Sequence, residues 1–339
     1  LNMKNIKKGI GYISKNGFKG LKEYVVTRVN SQGMPYNEWF ELHKPSKEEL
    51  EKERKVEFDY APKISIMVPT YKTPINFLRD MIDSVIDQTY SNWELCIADG
   101  SEGDMAVEAE LKRYSEQDSR IRYRLLEKNE GISGNTNAAL EMTEGEYVGL
   151  FDHDDVMHPS LLFECVKTVC EKDADYVYTD EATFTSPNLD DLIVLHFKPD
   201  YSPDNLRANN YICHFSMFDA DLLKKTGLFR SEYDGSQDHD MILRLTEEAK
   251  NVQHIPKILY YWRSHPQSVA ADIGAKTYAI DAAKRAVHDH MQDYYGIEVE
   301  VESTRAFPTI FQIKYPITGT PLVSIVIPNK DHVEDLRRC

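Results

Sequence analysis

The sequence predicts an α/β fold, with a mostly parallel sheet covered by helices on both faces, and three observations carry that expectation. Between Pro62 and Phe151, short apolar runs alternate with amphipathic segments of helical period. The runs are almost continuously apolar, as befits strands buried on both faces. Short polar clusters follow the runs, at the carboxyl edge where an open parallel sheet gathers its ligands.

The elements follow in order. Ile64–Val68 reads as the first strand, ending at Pro69, and Phe77–Asp87 as a helix with Leu78, Ile82, Val85 and Ile86 on one face. Glu94–Asp99 is the second strand, Met105–Ser115 a helix, and Ile121–Leu126 the third strand. Ser133–Met142 is helical and Tyr147–Phe151 is the fourth strand. Beyond it the pattern loosens. Tyr176–Thr179 and Val252–Trp262 read as strands, Asp238–Glu248 and Ile273–Tyr295 as helices.

Ahead of this block, residues 1–60 form a helical extension. From Met3 to Arg28, lysines alternate with apolar Ile6, Ile10, Ile13, Leu21 and Val25 at helical spacing. A basic amphipathic helix lies on an anionic membrane surface or packs against the neighbouring domain, and both expectations stand. Ser46, with Glu49 three residues on, predicts a capping box for a second short helix.

Composition narrows the function. The chain has 339 residues, 41% hydrophobic and 28% charged, the balance of a soluble globular protein. Its formal net charge of -16 argues against a general nucleic-acid binder, because a phosphate backbone would be repelled. It suits an enzyme that holds an anionic ligand locally, through a metal ion or backbone amides. No apolar run approaches the roughly 20 residues that span a bilayer. Five cysteines without paired spacing (Cys96, Cys165, Cys170, Cys213 and Cys339) predict free thiols in a reducing cytoplasm.

Three clusters carry candidate chemistry. Asp152-His153-Asp154-Asp155 follows the fourth strand. Carboxylates so crowded repel one another unless a cation sits among them, and hard oxygen ligands suit Mg²⁺ or Mn²⁺; a solvated acidic turn is the plainer alternative. Pro69-Thr70-Tyr71 and Asp99-Gly100-Ser101 end the first two strands, and Asn129-Glu130-Gly131 leads into the helix carrying Asn137. Such residues meet a nucleobase or ribose, or simply build turns. Gln237-Asp238-His239-Asp240 opens an apolar helix, where carboxylates either favour the positive helix end or serve as a general base.

The order Val68-Pro69-Thr70-Tyr71, Asp99, Asn129-Glu130-Gly131, Asp152-His153-Asp154-Asp155 and Gln237-Asp238-His239-Asp240 resembles the family-2 glycosyltransferases, from roughly Pro62 to Ser268. The resemblance implies a GT-A fold, a Rossmann-like nucleotide-binding half, and an inverting transfer from a nucleoside-diphosphate sugar, UDP-linked first among them. The acceptor would be a glycan or glycoprotein of bacterial surface polysaccharide or glycoprotein glycan synthesis. By resemblance, Asp152 faces the ribose, Asp154 binds Mn²⁺ or Mg²⁺ on the diphosphate, and Asp238 deprotonates the acceptor hydroxyl. His265 completes the metal shell, with His214 as the alternative, while Pro69, Thr70, Tyr71, Asp99, Asn129, Gly131, Asn137 and His153 surround the nucleotide. Two departures stand out: a single Asp99 followed by Gly100 where two adjacent aspartates are usual, and Gln237 where Glu is usual. The location implied is the cytoplasm, at the inner face of the membrane if the basic helix binds there. The rivals are an inactive sugar-binding module and a nucleotidyltransferase; the latter lacks its Gly-rich loop, since Pro69-Thr-Tyr-Lys-Thr-Pro74 stands in that place.

Lys63-Ile-Ser-Ile-Met-Val-Pro69 recurs as Leu322-Val-Ser-Ile-Val-Ile-Pro328. The repeat predicts a catalytic domain over 61–318 and the start of a second one over 319–339.

Overall fold

A computed structural model describes residues 44–185, 189, 192–264 and 277–339. The basic N-terminal helix expected over 3–28 and His265 lie outside the described residues. Helix α1 (Lys47–Glu53) opens with the expected capping box: Glu49 N donates to Ser46 Oγ at 3.2 Å, and Ser46 N to Glu49 Oε2 at 2.7 Å.

Strands β1 (Ile64–Thr70), β2 (Trp93–Asp99), β3 (Ile121–Leu125) and β4 (Tyr147–Leu150) are parallel, in the order β3-β2-β1-β4. Helices α2 (Ile75–Ile86), α3 (Met105–Gln117) and α4 (Gly131–Leu140) make the crossovers. Every residue of β1 and β2 is buried, which is why their sequences show no alternation. Period-2 geometry still sorts them by face. Ile64, Ile66 and Val68 pack with Leu78 and Ile82 of α2 and Leu111 of α3. Met67 points the other way, into a second core with Ala139 of α4.

Beyond β4 the sheet turns mixed. The chain passes through β5 (Val156–Met157), α5 (Leu161–Lys172), β6 (Tyr176–Phe184), β7 (Leu192–His196), α6 (Pro203–Ala208) and β8 (Ser216–Asp219). β8 inserts antiparallel between β4 and β6. After α7 (Leu223–Thr226) and α8 (Gln237–Glu248), β9 (Val252–Arg263) joins β6 in parallel and carries β5 on its far side. Strand β6 runs five residues past the expected Thr179, through register shifts at Asp180. A buried carboxylate concealed that extension: Asp180 Oδ1 accepts from Lys198 N at 2.8 Å and lies 2.8 Å from His254 Nε2. Helix α9 (Thr277–Tyr295) and α8 bury Val287 and Ile242 in the second core, so helices cover both faces.

The hairpin of β10 (Glu300–Ser303) and β11 (Phe311–Lys314) and the short α10 (Val333–Leu336) complete the described chain. Residues 321–328 form no strand, and Leu322 and Val326 are 97% and 87% exposed.

Candidate active site

The carboxyl ends of β1 and β4 open onto a cleft whose walls include Pro69, Asp152, His214, Gln237 and Asp238. Three segments far apart in sequence meet there because the sheet orders them. Asp152 follows β4 directly, with Phe151 N still donating to Met67 O of β1 at 3.2 Å. His214 precedes β8, the strand that pairs with β4. Asp238 sits in the first turn of α8, where the positive end of the helix favours a carboxylate.

The acidic loop is held from below by the end of β9. Tyr260 Oη donates to Asp155 Oδ2 at 2.6 Å, and Arg263 N donates to Asp155 Oδ1 at 2.7 Å. The Tyr260 ring also stacks beneath His214, with centroids 5.0 Å apart and planes 14° off parallel. His214 Nε2 lies 3.5 Å from Asp152 Oδ2. On α8, Asp240 is spent on structure. Arg244 donates to its Oδ2 through Nη2 at 2.6 Å and Nε at 3.1 Å, and Arg230 pairs with its Oδ1. Asp238 has a gentler partner, the Gln237 amide, whose Nε2 donates to Oδ2 at 3.2 Å. The Gln237 Oε1 accepts from Gly235 N at 2.9 Å, which fixes the amide's orientation.

Electrostatics set these groups apart. Asp152 keeps 42% of its side chain accessible to the cleft yet is sunk among protein atoms. That confinement, with Asp154 adding repulsion, raises its carboxyl to about 6. Asp238 is likewise raised to about 6, chiefly by burial and then by Asp152 across the cleft, while His214 acts in the opposite sense. Burial pushes Asp155 well above the usual carboxylate range, with Asp154 and Asp152 adding to it. Burial also lowers His214, keeping its imidazole neutral and its lone pair available. Ligand atoms of Asp152, Asp155 and His214 lie within 4.8 Å of one another. Two crowded carboxylates and a neutral imidazole fit a divalent cation.

Of the residues predicted from sequence, Pro69, Asp152 and Asp238 border the cleft. Thr70 Oγ1 and Ser101 Oγ both donate to Asp99 Oδ1, at 2.7 and 2.6 Å, tying the ends of β1 and β2 together. Tyr71 is 39% exposed beside them. Asn129 Oδ1 accepts from Gly131 N at 3.1 Å, closing the turn into α4. Gly131 has φ +78°, in the left-handed region, and a Cβ there would sit 3.0 Å from Asp234 Oδ2. The Asn137 amide donates to Phe229 O and accepts from Phe229 N, both at 2.9 Å, bracing a neighbouring turn. His153 and Asp154 sit in the turn itself, both partly exposed. Asp154 is not in the cluster that gathers around His214.

Sequence reasoning assigned no role to Asp155, Tyr260 or Arg263. The acidic run advertised Asp155, but nothing in Tyr260-Tyr-Trp-Arg263 signals which carboxylate it serves.

Residues 65–227 match the family described as glycosyl transferase family 2. The O-antigen biosynthesis protein RfbC of Myxococcus xanthus is 31% identical over 304 residues, covering 89% of this chain and 23% of RfbC. The chain therefore spans under a quarter of that relative's length. Two solved structures share the architecture and identify it as GT-A. The S. aureus TarS 1–349 complex with UDP aligns at TM-score 0.51 and 18% identity, over 68% of this chain and 72% of that one. The mannosyltransferase PcManGT from Pyrobaculum calidifontis, in complex with GDP-Man and Mn²⁺, aligns at 0.50 and 16%, over 72% and 69%.

Proposed function

Because the chain belongs to the family-2 glycosyltransferases, we propose that it transfers a sugar, with inversion, from a nucleoside-diphosphate sugar to an acceptor hydroxyl. A UDP-sugar is the favoured donor, and the acceptor is a glycan or glycoprotein in bacterial surface polysaccharide or glycoprotein glycan synthesis. The observation that carries this proposal is that Asp152 and Asp238 line one cleft, near enough for the Asp152 charge to raise the Asp238 carboxyl.

Asp238 takes the proton from the acceptor hydroxyl. A carboxyl near 6 is a stronger base than an ordinary aspartate, yet still ionised at neutral pH. Asp240 is unsuited to that task, since two arginines hold it. Asp152 lies toward the ribose. Asp154 and Asp155 form the acidic loop that meets the diphosphate, with His214 or His265 beside it. Asp154 would hold a Mn²⁺ or Mg²⁺ there, and the ion would supply positive charge to offset that of the departing diphosphate. Thr70, Asp99, Asn129 and Gly131 shape the nucleoside end along the strand edges. The UDP seen with TarS and the GDP-Man and Mn²⁺ seen with PcManGT support the donor class and the ion. RfbC supports a polysaccharide acceptor. No described helix is long and apolar enough to cross a membrane. We place the reaction in the cytoplasm, at the inner membrane face if the basic N-terminal segment binds there.

A panel of nucleotide sugars, assayed for Mn²⁺-dependent donor hydrolysis, tests the proposal. At least one donor should turn over, and Asp154→Ala should abolish Mn²⁺-dependent UDP binding while leaving the melting temperature unchanged. Unchanged, Mn²⁺-dependent affinity in Asp154→Ala would refute its assignment as the metal ligand.

A further inference from the structure

Arg263, the last residue of β9, is 4% exposed and touches the acidic loop twice. Its backbone N donates to Asp155 Oδ1 at 2.7 Å, and its Nε donates to the carbonyl oxygen of Asp154 at 2.6 Å. The outer edge of the guanidinium donates to Asp80 Oδ2 on α2 at 2.9 Å. Phe77 and Phe184 flank it, with ring centroids 4.4 and 4.7 Å away.

Apart from the backbone bond to Asp155, each contact uses what only a guanidinium has. The planar fork reaches a carbonyl on one edge and a carboxylate on the other, while its faces stay on aromatic rings. A lysine ammonium has neither the plane nor the span.

We infer that Arg263 is the positioning residue of the acidic loop: it fixes the Asp154 backbone and the Asp155 carboxylate together, and so sets the loop's affinity for a divalent ion. This inference rests on the metal-dependent reading above. A plain staple between α2 and the sheet would make a different prediction, namely lost stability with the ion affinity of the folded protein intact.

The test is a Mn²⁺ titration followed by electron paramagnetic resonance, on the full chain with UDP or GDP present, paired with thermal melting. Arg263→Lys keeps a cation in the aromatic cage but cannot bridge the carbonyl and Asp80. It should raise the Mn²⁺ dissociation constant at least tenfold in folded protein. The donor KM should rise with it, while the acceptor KM stays within twofold. Asp80→Asn, whose carboxylate is partly open to solvent, guards against a folding failure of the first variant; it should weaken Mn²⁺ about threefold. Unchanged Mn²⁺ affinity in folded Arg263→Lys, or in Asp80→Asn if Arg263→Lys does not fold, overturns the inference. Absence of Mn²⁺ binding by the wild-type protein overturns the metal-dependent reading and this inference with it.

Discussion

The acidic loop at 152–155 and the start of α8 at 237–240 are built alike, and they differ in how the anchored carboxylate is tied. Each region offers one carboxylate to the cleft, Asp152 or Asp238, and holds another in the interior, Asp155 or Asp240. Asp240 is tied by two full cations, Arg230 and Arg244. Asp155 is tied by a phenol and a backbone amide, both neutral. Neutral donors orient a carboxylate without cancelling its charge, so the loop's surplus negative charge remains. Burial is what raises Asp155 so far, with the charges of Asp154 and Asp152 adding to it. One region is a finished ion-pair network; the other is the region proposed above to hold the cation.

The largest expected effect tests whether the open member of the α8 pair is chemical. Asp238→Asn keeps shape and hydrogen bonding but removes the base. Transfer should fall by about 10²–10⁴-fold, while donor affinity stays within about threefold. Both would be measured on one preparation, by product chromatography and calorimetry. Full activity would break the comparison at its functional end; lost donor binding would move Asp238 to the donor site.

Next comes the closed member. Asp240→Asn leaves Arg230 and Arg244 without their counter-ion, and should cost about 3–5 kcal/mol of stability in denaturant melts. Residual activity per folded molecule should exceed that of Asp238→Asn. A small stability change with activity as low as in Asp238→Asn would show that the two carboxylates had been assigned the wrong way round.

The smallest effect concerns the loop. His214→Ala removes the imidazole beside Asp152, and Mn²⁺ affinity should drop about tenfold, roughly 1.4 kcal/mol. Unchanged affinity would transfer the third ligand to His265.

The parallel half of the sheet was legible because local signals suffice there. β1 and β2 are buried on both faces and flanked by helices of clear period, so apolar runs mark them unaided. The second half depends on partners that no local window contains. β8 is a strand because β4 and β6 lie on either side, and its four residues look like any loop. β6 continues through Asp180 because Lys198 and His254 satisfy that carboxylate from elsewhere in the chain. The site divides the same way. Asp152, Asp154 and Asp238 stand in recognisable motifs, whereas Tyr260 and Arg263 act through contacts more than a hundred residues distant. That the Asn137 amide braces the turn at Phe229 has no local signal either. The repeated apolar segment makes the point most simply. Around β1 it lies between β2 and β4 and is a strand; at 321–328 the same pattern meets no flanking strand and forms none.

That last segment has a practical side. Leu322, Val323, Ile325 and Val326 are between 73% and 97% exposed, a contiguous β-branched and aliphatic stretch without a charge. Such a window is the composition from which intermolecular cross-β stacking grows. As protein concentration rises, self-association should therefore begin there, through backbone pairing between copies, before the catalytic cleft or the sheet edges take part. Light scattering of a chain ending at residue 315 should stay flat at concentrations where the 339-residue chain clouds, with donor hydrolysis the same in both.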